Sequence, residues 1–131
     1  MAIIYMQLSA IVKTLVLSGV VLLSLDAIYL NAIKNMFEIQ IAAVQRVVLQ
    51  FRLFGAIMCY VLLIGGLYYF ILRTRRPISD AFFLGILIYG VYESTTYALF
   101  KQWKIKTVII DTLWGGILFA LTTAIVYKLG I

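Results

Sequence analysis

Histidine occurs nowhere in the chain. Its absence removes the commonest general base near neutral pH and the usual nitrogen ligand for zinc, copper or haem iron. Cysteine occurs once, at Cys59, so no intrachain disulfide can form and the redox compartment stays open. Proline also occurs once, at Pro77, which favours long uninterrupted helices over a fold rich in loops. Charge is scarce as well. Only 12% of residues are Asp, Glu, Lys or Arg, about half the share of a soluble domain.

Apolar side chains are in excess: they make up 65% of the 131 residues, where a soluble domain is nearer half apolar. A chain this short has no interior large enough to hide the surplus, so lipid must act as its solvent. The net charge of +6 would suit nucleic acid. Here, however, the Lys and Arg residues sit beside apolar runs instead of forming a basic stripe, the placement that meets lipid headgroups. The expected partner is the lipid bilayer, with no nucleic acid.

A membrane-spanning helix needs about 20 consecutive, mainly apolar residues. Four segments qualify: 11–30 (with a start as early as Ile3 allowed), 49–72, 78–100 and 107–127. The first could instead be a cleaved signal peptide. It has no basic region before its apolar stretch and no small-x-small site before Asp26, so retention as a span is favoured. Between the first two spans lies the segment 31–48, carrying Lys34, Glu38, Gln40, Gln45 and Arg46. Its apolar residues Met36, Phe37, Ile41, Val44 and Val48 recur at helical spacing, which predicts an amphipathic helix along the membrane surface, an ordinary loop being the alternative. The other connections are short. Arg73-Thr74-Arg75-Arg76-Pro77 breaks the chain at a point where Pro77 can open the third helix. The run Lys101 to Lys106 makes the last turn and places Trp103 at the depth of an aromatic belt. Short links make neighbours antiparallel. The predicted fold is therefore all-α, a single integral membrane domain over residues 1–131: a four-helix bundle built from two helical hairpins.

Sidedness does not follow. Lys13, Arg73, Arg75, Arg76 and Lys128 share one face, while Lys34, Arg46, Arg52, Lys101, Lys104 and Lys106 share the other. The two groups are too nearly equal for the positive-inside rule to decide.

The informative residues are the polar ones inside the spans, because charge in hydrocarbon is costly. Asp26 lies near the end of the first span, Glu93 near the end of the third and Asp111 near the start of the fourth. At 1.5 Å per residue each sits roughly 6–10 Å inside the boundary, and alternating helix direction brings all three towards one face. Each heads a stripe of small, hydroxyl or aromatic side chains at i, i+3 and i+4: Ser18, Leu22 and Tyr29 with Asp26; Gly85, Tyr89 and Tyr97 with Glu93; Trp114, Gly115, Leu118 and Thr122 with Asp111. Tyr92 and Thr96 flank Glu93. Gly65, Gly66, Gly115 and Gly116 are expected to mark close helix approaches. Two readings stand. In the structural one the layer is a hydrogen-bonded network with Arg52 and Lys101 (or Lys104) as countercharges. In the functional one it is a polar pocket, open to one side of the membrane, that binds a cation, passes protons or holds a headgroup. Arg73, Arg75 and Arg76 read as a lipid-headgroup anchor. Cys59 reads as a small packing residue.

The motifs Leu25-Asp26-Ala27-Ile28-Tyr29-Leu30, then Tyr89-Gly90-Val91-Tyr92-Glu93-Ser94-Thr95-Thr96 with Ala98, Lys101 and Trp103, and finally Asp111-Thr112-Leu113-Trp114-Gly115 resemble the predicted membrane proteins grouped as domain of unknown function 2177. Such proteins tend to have Trp where Tyr29 stands, Asp for Glu93 and Asn for Thr96. The resemblance implies a compact four-helix membrane protein, supplies no activity, and leans towards a lipid-linked role.

Three function classes follow. The first is a transporter or channel-like protein using the acid layer, for which four helices are few, so that a homo-oligomer or larger membrane complex is expected. The second is an accessory or scaffold subunit with a structural polar layer. Last is a membrane-embedded enzyme acting on lipid, disfavoured because the chain has no histidine, no nucleophile motif and no cofactor loop. No catalytic residue, metal site or cofactor is expected.

Overall fold

The computed structural model of the chain describes residues 2–45 and 52–130. Its elements are α1 (Ala2–Gln45), α2 (Leu53–Leu67, continued by a π-helical turn, Tyr68–Leu72), α3 (Ile78–Leu99) and α4 (Ile105–Lys128). All four are long and apolar enough to cross a membrane. The last three spans hold 20, 22 and 24 residues, which at 1.5 Å each is about 30 to 36 Å. That matches the roughly 30 Å hydrocarbon thickness of a bilayer.

The first span differs from expectation. Residues 31–45 do not form a separate surface helix but continue α1, which runs unbroken for 44 residues. Such a helix is about 66 Å long, twice the hydrocarbon thickness, so part of it extends beyond the lipid core. The cause is local: no Gly or Pro occurs between Gly19 and Gly55, so nothing interrupts the backbone ladder. Arg46, Val48 and the expected start of the second span at Leu49 lie outside the described residues.

The helices α3 and α4 form an antiparallel pair in close contact. A Cβ on Gly85 would overlap the carbonyl of Gly115, and one on Gly115 would overlap the Tyr89 ring. A Cβ on Gly116 would come within 2.8 Å of Phe82 Cε2. Small residues let helix backbones meet where the surrounding lipid is as apolar as the side chains. Gly65 and Gly66 do not behave this way, since a Cβ on either meets nothing within 4 Å. α1 lies along α2, where Gly19 faces Ile64, and also runs antiparallel to α4, as the contacts below show. The pairing is thus less simple than two hairpins. Leu22, Leu63, Leu67, Ile71, Leu118, Phe119 and Val126 form the apolar core. Val16, Val20, Phe54, Leu62, Phe83, Leu87 and Ile109 are exposed on the outside of the bundle, a surface that lipid tails can cover and water cannot.

At the α2–α3 turn Arg75 adopts a left-handed conformation (φ 50°), and Pro77 precedes the first residue of α3 as expected. The Tyr127 hydroxyl donates to the Arg76 carbonyl at 2.7 Å, pinning this turn to the end of α4.

Candidate functional site

The acid-bearing stripes point inward. Ser18, Leu22 and Asp26 are buried on α1, Gly85 and Glu93 on α3, and Asp111, Gly115, Leu118 and Thr122 on α4. Asp26, Glu93 and Asp111 are 5%, 0% and 7% exposed, so none faces lipid. Tyr97, assigned to the same stripe as Glu93, is instead exposed.

The partners of these acids are aromatic donors. One oxygen of Asp26 accepts the Trp114 indole N–H at 2.9 Å, and the other accepts the Tyr60 hydroxyl. The Tyr29 hydroxyl donates to Asp111 at 3.0 Å. The Tyr29 and Trp114 rings lie stacked, centroids 4.5 Å apart and planes 5° from parallel. Asp26, Tyr29, Tyr60, Asp111 and Trp114 therefore make one connected unit across α1, α2 and α4. Its descending register (Asp26 with Trp114, Tyr29 with Asp111) shows α1 and α4 running in opposite directions. Glu93 belongs to a neighbouring pair: Trp103 donates its indole N–H to Oε2 at 2.9 Å, while among the described residues the buried Oε1 has no hydrogen-bond partner.

Trp103 is thus turned inward and buried, not held in an aromatic belt. It sits in the α3–α4 turn, which folds back over the last turns of α3, and the acid beneath supplies an acceptor that a headgroup region would otherwise provide. The expected countercharges are likewise not engaged. Arg52 and Lys101 are exposed, and among the described residues no ion pair joins either to the acids. Neutral N–H and O–H donors take that place. Thr96 stays apart as well, because its hydroxyl donates to the Tyr92 carbonyl on its own helix at 2.8 Å.

Beside the unit lies a cleft of about 330 Å³ lined by Asp26, Tyr29, Tyr60, Tyr89, Tyr92 and Asp111, with apolar side chains completing the wall. Glu93, Trp114 and Thr96 do not line it. Two contributors went unnoticed in the sequence. Tyr60 stands in an unbroken apolar run with no polar neighbour to mark it, although its depth in α2 matches that of the acids. Gln40 is 4% exposed and clamps the α3–α4 turn. Its amide donates to the Gln102 carbonyl at 2.7 Å and its Oε1 accepts from the Lys104 N–H (3.1 Å) and the Thr107 hydroxyl (2.8 Å). This contact holds the second half of α1 against the bundle.

On the opposite end, Arg73 lies over the Tyr69 ring at 4.1 Å and Arg75 over the Tyr127 ring at 4.5 Å. Arg76 pairs with Asp80 at 2.7 Å. The three cations are held at the rim of the bundle, on tyrosine faces or an acid one helical turn away.

Four apolar helices around a buried polar centre define an integral membrane protein. The chain belongs to the family of predicted membrane proteins termed DUF2177, whose profile matches residues 11–128. No curated protein and no solved structure matches it.

Proposed function

We propose that the chain is a small membrane transport protein whose solute-binding point is the cleft at Asp26 and Asp111. One observation carries the reading: the 330 Å³ space onto which both carboxylates and four tyrosines open, in helices read as crossing hydrocarbon. The space is an open cleft, so a ligand can enter it and reach both carboxylates. Buried acids in a membrane interior are also expensive unless a function keeps them there. A pathway built from four helices per chain calls for a homo-oligomer or a larger membrane complex. The test is reconstitution in liposomes with measurement of proton, cation and small-solute flux. The wild type is expected to show flux and Asp111→Asn to abolish it. No flux in the wild type, or equal flux in the variant, sinks the reading.

A second reading has its own support. Asp26 already receives one donor on each oxygen and Glu93 is tied to Trp103, which suits an accessory or scaffold subunit that needs a rigid polar layer. The lean of the family resemblance towards lipid metabolism belongs with this reading. It expects Glu93→Gln to lower thermal stability in detergent and to weaken capture of a membrane partner without altering any solute response.

A further inference from the structure

We infer that the cleft is a cage for an organic ammonium group, presented either by a lipid headgroup or by a free amine. The inference rests on the binding point proposed above and goes beyond it by naming the chemical class of the ligand.

Charge comes first. Asp26 and Asp111 both line the cleft, and their donors are the neutral Tyr60, Trp114 and Tyr29. Among the described residues no Lys or Arg forms an ion pair with either. An ionised carboxylate has about four acceptor sites, and Asp26 uses one on each oxygen, so the site keeps capacity for a further donor. Behind it Glu93 is wholly buried, and among the described residues its Oε1 has no hydrogen-bond partner. The polar centre thus gathers three carboxyl groups, and among the described residues no Lys or Arg pairs with them, in a chain whose net charge is +6.

The wall comes second, and it is independent of the acids. Tyr29, Tyr60, Tyr89, Tyr92 and Phe37 surround the space, with Leu, Ile and Cys59 filling the remainder. Aromatic faces attract cations through their ring quadrupole, and cages of such rings are how proteins hold quaternary ammonium groups. A small metal ion fits poorly. Calcium and magnesium require about six or more oxygen ligands, and among the described residues no group of three or more His, Cys, Asp or Glu could hold a metal. Alkylammonium carbon, by contrast, matches the apolar part of the wall. A volume of about 330 Å³ lies at the lower end of the roughly 300–1,000 Å³ of small-molecule pockets, which suits a compact headgroup-sized ligand.

The test uses the full chain in phosphatidylglycerol nanodiscs, titrated with tetramethylammonium chloride and, in parallel, sodium chloride at equal ionic strength. Tryptophan fluorescence reports occupancy, because Trp114 is stacked on a ring that lines the cleft. A saturable change with tetramethylammonium and none with sodium is expected. Asp111→Asn should weaken binding at least tenfold. Tyr92→Leu should weaken it about fivefold while Tyr92→Phe leaves it unchanged, since the ring face and not the hydroxyl makes the contact. Tyr92 is exposed, so this pair probes the cage without disturbing the core. No saturable response, an equal response to sodium, or wild-type binding by both Asp111→Asn and Tyr92→Leu overturns the proposal. Repeating the titration in phosphatidylethanolamine nanodiscs separates the sources: weakened apparent affinity assigns the headgroup, and unchanged affinity assigns a free amine. Binding without flux in liposomes would overturn transport and leave the ligand class standing. Flux without ammonium binding would do the reverse.

Discussion

Trp103 and Glu93 are joined across the α3–α4 turn by an indole N–H donated to Oε2 at 2.9 Å, with both side chains buried. Because among the described residues the other oxygen of Glu93 has no hydrogen-bond partner, the indole is the donor that satisfies this acid there. Trp103→Phe keeps the ring and removes the N–H, leaving a buried carboxyl with no donor. The expected cost is about 1–3 kcal/mol, read as a lower melting temperature in detergent. In a Glu93→Leu background the same substitution should cost less, because no buried acceptor is then left for the indole N–H to satisfy. Equal costs in both backgrounds would show that the indole acts by packing alone.

The glycines on the α3–α4 seam and those on α2 make a matched pair of tests. Gly85→Ala would push a methyl into the Gly115 carbonyl, which is backbone and cannot swing aside, so the helices must separate. Overpacking of this kind typically costs about 1–3 kcal/mol. Gly65→Ala meets nothing within 4 Å and removes backbone freedom from a helix interior, so it should stabilise by roughly 0.5–1 kcal/mol. Thermal unfolding of the two variants in the same detergent decides between them. Equal effects would mean that the close approach of α3 and α4 is not what holds the pair.

These contrasts mark what could be read in the sequence. Spans three and four are expected at 78–100 and 107–127 and found at Ile78–Leu99 and Ile105–Lys128, because apolar runs ended by charged turns leave little choice. Asp26, Glu93 and Asp111 stood out because charge in lipid is costly, and their stripes turned inward as helical spacing requires. The polar residues Lys34, Glu38 and Gln40 suggest a break in the span, and so hide the continuation of α1. Helix continuity depends instead on the absence of Gly and Pro, and on Gln40 finding acceptors and donors in a distant turn. Tyr60 and Trp103 were illegible for a related reason. Local spacing sets which face a residue occupies, but not which partner a hydroxyl reaches on another helix or an indole reaches across a turn. Arg52 and Lys101 share the membrane face that the acids approach, but the donors that reach Asp26 and Asp111 are aromatic side chains on neighbouring helices, which spacing along one helix does not reveal.

Gln40 gives the second half of α1 its hold on the bundle. Its Oε1 accepts from both the Lys104 N–H and the Thr107 hydroxyl at the start of α4, which satisfies one of the free donors that every helix N-terminus carries. Gln40→Leu removes all three bonds and should speed hydrogen exchange at the amides of Lys104 to Thr107, with a stability loss of about 1–3 kcal/mol. Gln40→Glu keeps both acceptor contacts and forfeits the bond to the Gln102 carbonyl, so it should fall between. If Gln40→Leu leaves exchange at this turn unchanged, the clamp does not restrain it.

Asp26 is the point where three helices meet, since Tyr60 of α2 and Trp114 of α4 donate to its two oxygens. A carboxylate can accept both, while an Asn amide offers one oxygen and turns two N–H groups on the other donor. Asp26→Asn should therefore keep the Trp114 bond through its oxygen and donate to the Tyr60 hydroxyl, whose own proton is left without an acceptor, and lower stability in detergent by about 1–3 kcal/mol. Tyr60→Phe alone removes one donor and leaves the Trp114 bond intact, a smaller loss near the average of about 0.6 kcal/mol for hydrogen bonds inside membranes. Combined, the two changes relieve each other: without the Tyr60 hydroxyl no proton lacks an acceptor, and the Asn keeps its oxygen on Trp114 with its N–H groups on the vacated side. The double variant should be more stable than the sum of the single losses by about 0.5 kcal/mol or more, the range expected of residues in direct contact. Additivity within about 0.3 kcal/mol would mean that Asp26 does not bind both donors at once, and the linkage between α2 and α4 through this side chain would have to be abandoned.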